Sequence, residues 1–241
     1  MQELIAGAQE LRISLRAEHL DALRTYQHQL IEWNKRFNLT AITDETGIQI
    51  RHFLDSLSCL LALESGENFA GKRIIDVGTG AGLPGIPLKI VCPGMKLTLL
   101  EATAKKTHFL QHIVDELGLE DVTIIHGRAE ELGHDPTHRQ QYDWALARAV
   151  ADLPILMEYL LPLLQVSGRA LAQKGESAPA EAHRSDYALK QLGGQIRRLI
   201  SVDLRGINET RYLVLVDKIA ATPDRYPRRP GMPSKRPLIS E

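Results

Sequence analysis

Residues 73–85 read RIIDVGTGAGLPG: a short, mostly apolar run that enters a turn with glycines at 78, 80, 82 and 85. A strand running into a glycine turn and then an apolar helix, here LPGIPLKIV (83–91), opens a βα unit. The alternation continues. KLTLLE (96–101), DVTIIHG (121–127), YDWALARA (142–149) and GRALAQK (168–174) read as strands, with AKKTHFLQHIVDELG (104–118) and LPILMEYLLPLL (153–164) as helices among them. Strands joined by helical crossovers form a parallel sheet buried on both faces, an α/β fold. QIRRLISVDL (195–204) and RYLVLVDKI (211–219), linked by RGINET, read as an antiparallel pair at the end of the sheet. The polar stretch 176–194 reads as an inserted helix and loop.

Before the glycine turn the period is helical. Ser14 stands as N-cap to a face made by Leu20, Leu23, Tyr26, Leu30 and Phe37, and IQIRHFLDSLSCLLAL (48–63) repeats the spacing. Residues 1–67 are therefore expected to be a helical extension, 68–222 the α/β domain and 223–241 a tail. From Thr222 onward five of the twelve prolines accompany Arg225, Arg228, Arg229, Lys235 and Arg236, the pattern of an extended basic tail rather than a packed element. Composition alone makes it a solvated terminus; its five cations are also the RNA-binding candidates. With 29 basic and 30 acidic residues overall, no global charge announces a polyanion partner. Cys59 and Cys92 lack a C-x-x-C partner, and no apolar run reaches membrane-spanning length, so a reduced, cytoplasmic protein without membrane contact is expected.

Two glycine templates overlap in the turn. From Gly80 it is G-x-G-x-x-G, the dinucleotide fingerprint of an NAD-dependent oxidoreductase; from Gly78 it is D-x-G-x-G-x-G. The strand ends at Val77, so the turn begins at Gly78, and a fingerprint starting at Gly80 leaves Gly78-Thr79 as an insertion. Asp76 also sets a carboxylate where a pyrophosphate would lie, which is unfavourable, whereas a sulfonium and ammonium would welcome it. That favours S-adenosylmethionine. Polar residues stand at the other strand exits as well: Glu101, His126, Arg128 and Glu130, Arg148, and Lys174.

WNKRFNLTAIT (33–43), RHFLDSL (51–57), IDVGTGAGLPGIPLKI (75–90), GRAEEL (127–132), ARAVADL (147–153) and YPRRPGMPSKRPL (226–238) together resemble the glucose-inhibited division protein B family, over nearly the whole chain. The resemblance implies a Rossmann-like class I methyltransferase sheet, mostly parallel with a terminal antiparallel hairpin. It further implies methyl transfer from S-adenosylmethionine to N7 of a guanine in the decoding region of 16S rRNA, within a small-subunit particle, by a monomer. Carried over by position, cofactor contacts fall on Gly78, Leu83, Ala129, Glu130 and Arg148, with Glu101, Ala102 and Thr103 at the second strand exit; Asp76 and Gly80 join them from the turn. Ala102 departs from the commoner serine of the family pattern.

Guanine N7 carries an in-plane lone pair and needs no general base, and the sequence lacks both an Asn/Asp-Pro-Pro-aromatic segment and a Pro-Cys nucleophile. Catalysis then rests on placement and charge, with Arg148 and Lys174 as the only catalytic candidates. His108 and His112 have metal-ligand spacing without a third ligand, so no metal is expected. His52, Asp55 and Ser56 lie within one turn without a nucleophile elbow, which suits a docking or helix-supporting role better than a triad. Trp33 and Phe37 suit the core, with an RNA-facing role left open by nearby Lys35, Arg36 and Arg51. A non-enzymatic ribosome-binding protein is the remaining alternative, disfavoured by the intact cofactor turn.

Overall fold

Five strands, β1 (Arg73–Val77), β2 (Lys96–Glu101), β3 (Val122–His126), β4 (Tyr142–Arg148) and β5 (Leu164–Lys174), are joined by helices and run parallel in the computed structural model, which describes residues 1–239. β6 (Gly194–Val202) and β7 (Arg211–Lys218) complete one sheet of order β3-β2-β1-β4-β5-β7-β6. β7 lies antiparallel between β5 and β6. A dinucleotide-binding sheet continues in parallel past its fifth strand, so this insertion sets the chain apart from the oxidoreductase reading. Ser240 and Glu241, the end of the tail, lie outside the described residues.

The N-terminal helices Gln2–Glu10 and Ala17–Phe37 share their core with the sheet: Leu23, Tyr26 and Leu30 pack in one buried cluster with Ile74, Leu99 and Phe109. Ser14 does not cap the second helix. Arg16 does, its amide donating to His19 Nδ1 at 3.3 Å. The stretch after it is one winding of several pitches: an α-turn Glu45–Gly47, π-turns Ile48–Leu54, an α-turn Asp55–Leu57 and a 3₁₀ end Ser58–Ala62. π-turns widen a helix and recur at functional sites. Here Phe53, Leu54 and Leu57 enter the core while Arg51, His52 and Asp55 line a cleft.

β5 begins four residues before its expected start, because its pairing with β4 shifts between Tyr142 and Trp144 and Ser167 takes φ +73°, which breaks the alternation. Region 176–194 holds two short helices, Ala178–Arg184 and Asp186–Leu192. The tail is packed rather than extended. Tyr226, Pro233 and Leu238 are buried, and Arg139 donates to the carbonyls of Thr222 and Tyr226 at 2.7 and 2.8 Å. Prolines fix the tail's turns, and buried polar groups on the sheet side hold it. Among the described residues no helix is long and apolar enough to cross a membrane.

Candidate active site

The glycine turn follows β1 directly. Gly78, Gly80 and Gly82 have φ of +67°, +63° and +97°, a region L side chains avoid. The amides of Gly78 and Thr79 donate to the Leu100 carbonyl at 2.8 and 3.1 Å, fastening the turn to β2. Asp76 is fully buried beneath it, where its Oδ2 accepts from Thr79 Oγ1 at 2.6 Å and from the Gly85 amide at 2.8 Å. Asp76 therefore shapes the turn from below; its burial keeps it from being the ligand-facing carboxylate expected from the sequence. Glu101 bridges as well, accepting from the Gly80 amide at 2.9 Å and the Thr103 amide at 2.8 Å. Thr103 caps the helix Ala104–Glu116, and the Tyr26 hydroxyl donates to the Ala81 carbonyl.

Burial pushes the Asp76 carboxyl up to about 6, against the pull of its Thr79 and Gly85 hydrogen bonds and of Arg148. An unfolded aspartate titrates at about 3.9. Between those values the folded chain holds the extra proton, so this stabilising contribution is complete at low pH and is lost as pH rises through about 6. Asp76→Asn retains an oxygen for both donors and removes the titration. Urea unfolding from pH 4 to 7 is expected to show wild type losing on the order of 2 kcal/mol relative to the variant. A pH-independent difference between the two would remove the buried charge from this account.

Two cavities meet at Gly78, which lines both. The larger, about 460 Å³, is walled by the turn residues Gly80, Ala81 and Leu83, by Thr40, Arg51, His52 and Asp55 of the N-terminal region, and by Arg148, Gln173, Lys174 and Arg211 at strand ends. The smaller, about 200 Å³, lies between Leu100, Ala102, Ala129, Glu130, Val150, Tyr159 and Ser234. A side chain at Gly78 would bring Cβ within 2.9 Å of Val150 Cγ2, whereas one at Gly80 would meet nothing within 4 Å and would project into open cleft space. Gly78→Val, with a β-branched residue forced to positive φ at the junction, is expected to abolish cofactor binding while the sheet persists. Near-wild-type affinity by calorimetry in a folded variant would overturn this.

Arg148 ends β4 beside that junction. Its Nη1 donates to Asp55 Oδ2 at 3.0 Å and to the Arg51 carbonyl at 2.8 Å, and its Nη2 stands 3.4 Å from His52 Nδ1. Asp55 is its carboxylate partner. His52 also bonds Thr40 Oγ1 through Nε2 at 2.8 Å. Burial, then the neighbouring Arg148 charge, lowers the His52 pKa to about 4, so the ring is neutral at physiological pH. Lys174 donates to the Ala151 carbonyl at 2.8 Å and pairs with Glu181 at 2.6 Å, bracing the loop after β4; a lysine so held does not present a free ammonium for catalysis.

Of the residues expected at the cofactor, Gly78, Ala102, Ala129 and Glu130 share the small cavity, while Gly80, Leu83 and Arg148 line the large one. Glu130 is buried and accepts from the Gly231 amide at 3.0 Å, so the tail closes over this side. Among the tail cations Arg228 is turned inward onto the buried carboxylate of Glu158, at 2.6 Å, and is no phosphate contact in this arrangement. Arg225 lies against Gln191 and over the Tyr226 ring, and Arg229, Lys235 and Arg236 are exposed. His112 bonds Gln29 and stacks on Trp33, which itself packs against Phe37 and Phe109. Thr40, Gln173, Arg211 and Ser234 were not among the expected site residues; Gln173 stands one residue before Lys174 at a strand exit, and Thr40 and Ser234 lie in stretches that carry the family resemblance, whereas Arg211 carried no signal.

Residues 19–205 match the family described as GidB, rRNA small subunit methyltransferase G. The ribosomal RNA small subunit methyltransferase G of Alkaliphilus metalliredigens is 47% identical over 232 residues, 96% of each chain. That of Roseiflexus castenholzii is 47% identical over 239 residues, 99% of this chain and 100% of the relative. Among solved structures, a SAM dependent methyltransferase from Aquifex aeolicus superposes with a TM-score of 0.55 at 16% identity, covering 74% of this chain and 96% of that one. A mutant of MtNAS in complex with S-adenosylmethionine gives 0.56 at 18% identity, over 83% and 73% of the two chains. Those two share the fold. The family match over residues 19–205 and the full-length relatives place this chain in the rRNA small subunit methyltransferase G (GidB) family.

Proposed function

We propose that this protein transfers the methyl group of S-adenosylmethionine to N7 of a guanine in the decoding region of 16S rRNA. The observation that carries the reading is the pair of cavities on either side of Gly78: a smaller one among Leu100, Ala129, Val150 and Tyr159, of a size and lining for a nucleoside, and a larger one, walled by Arg51, His52, Asp55 and Arg148, for an incoming base. The residues fit the cofactor, because the only substituent Gly80 lacks would occupy cleft space that a ligand needs. Gly78, Ala102, Ala129 and Glu130 would hold its nucleoside end, and Gly80, Leu83 and Arg148 would border its methionine end. When bound, it supplies a methyl group on a sulfonium leaving group.

The chain's own residues place and screen. The guanine N7 lone pair would take up the methyl group directly, so the site's residues have to position the base and need move no proton. A neutral His52 fits this, since the site has no proton to take. The target base must leave its stack to reach the cleft. We further propose that a monomer acts in the cytoplasm on the small-subunit particle, with residues 1–67 and the tail 223–241 flanking the catalytic unit 68–222. The exposed cations Arg225, Arg229, Lys235 and Arg236 would meet phosphates. Mass spectrometry of 16S rRNA from cells with and without the protein tests the activity: loss of one N7-methylguanosine supports it, and an unchanged nucleoside inventory overturns it.

A further inference from the structure

Asp55 and Arg148 form an ion pair on the wall of the large cavity, with side chains only 10% and 16% exposed. The aspartate is held from behind. Its carbonyl accepts from Gln173 Nε2 and from Ser58 Oγ, both at 2.6 Å, so the carboxylate's position is set by β5 and by the helix end. One carboxylate oxygen takes Arg148; no partner within the protein is found for the other among the described residues, nor is it sealed from solvent. The wall thus offers a donor, then an acceptor, side by side.

We propose that this pair reads the Watson–Crick edge of the target guanine, with Arg148 donating to O6 and Asp55 accepting from N1–H and the 2-amino group. This rests on the methyl-transfer reading above. Guanine presents acceptor, donor, donor along that edge, and the ion pair offers the matching donor followed by the free Asp55 oxygen, which N1–H and the 2-amino group share. Adenine presents a donor where Arg148 donates and an acceptor where Asp55 accepts, so both contacts are repulsive. Arg148 lies two residues past the Leu146–Asp76 pairing, and both it and Gly78 line the large cavity, so a base held by Arg148 sits in the cleft that the glycine turn borders. As N7 gains the methyl group the purine gains positive charge and its N1–H becomes more acidic. The bond to Asp55 therefore strengthens toward the transition state, which places the effect in kcat as well as in binding.

The test is single-turnover methyl transfer to small-subunit RNA carrying guanine or inosine at the modified position, by wild type and by Asp55→Asn. Inosine keeps O6, N1–H and N7 and lacks only the 2-amino group. Wild type is expected to methylate inosine at least about tenfold more slowly than guanine. Asp55→Asn, which puts an amide donor or a weaker acceptor at that edge, should be slow with both bases, its guanine-to-inosine ratio falling toward one. A wild type indifferent to the 2-amino group overturns the proposal, as does an Asp55→Asn variant that keeps the full ratio. Should the variant fail to bind S-adenosylmethionine by calorimetry, the wild-type comparison decides alone. If wild type transfers nothing even to guanine RNA, the methyl-transfer reading itself falls.

Discussion

Arg148→Ala is expected to lower single-turnover methyl transfer by about 10²- to 10³-fold, the loss typical of removing one preorganised charged donor from a reaction site. The same substitution strands Asp55, which is 7% exposed and has no other ion-pair partner among the described residues. A buried carboxylate left alone destabilises by on the order of 3 kcal/mol, which in a chain of this size lowers the melting temperature by about 10 °C. Activity and stability are separable. Arg148→Ala combined with Asp55→Asn should recover most of the lost stability, because no unpaired charge remains, while transfer stays low. Arg148→Lys keeps a charge near Asp55 but cannot also reach the Arg51 carbonyl and His52, which the guanidinium fork serves together. Transfer by the lysine variant at close to the wild-type rate would replace directed hydrogen bonding here with simple electrostatics.

Sheet and turn were legible because their signals are local. RIIDV and KLTLLE coincide with β1 and β2, since each is a short, mostly apolar run with a carboxylate at or next to its end and turn residues around it. Register within the glycine turn followed from where β1 stops. What escaped was set by contacts distant in sequence. Asp55 and Arg148 are 93 positions apart, and nothing in RHFLDSL announces that a π-turn will aim its polar residues across the cleft. Asp76 stands out in the sequence, but only burial distinguishes a carboxylate that braces a turn from one that greets a cation. Lys174 was expected as a catalytic candidate at a strand exit, and its partner Glu181 lies in the polar region read as an inserted helix and loop, where no single acid stands out. The tail misled for the same reason: proline and arginine density describes an extended chain unless a buried acid waits elsewhere for one of its cations.

That acid is Glu158, and removing its partner is expected to have the largest effect on stability of any single tail substitution. Glu158 is wholly buried, accepting from Arg228 through its amide at 2.8 Å, Nε at 2.9 Å and Nη2 at 2.6 Å. Arg228→Met leaves the carboxylate one backbone N–H, a loss of about 3–5 kcal/mol. The consequence reaches the cofactor. Tyr159, next to Glu158, meets Ser234 at 3.3 Å, and the Gly231 amide holds Glu130, so a tail released at Arg228 takes a wall from the small cavity. Arg228→Met is therefore expected to melt about 10 °C lower and to bind S-adenosylmethionine more weakly. Glu158→Leu with Arg228→Met, which buries no lone charge, should regain most of the stability, since apolar replacements of buried pairs are often neutral. Calorimetric titration and thermal unfolding of the two variants separate the outcomes. If Arg228→Met melts and binds like wild type, the clamp does not hold the tail in solution, and the segment is free to be the extended basic arm that its composition suggests.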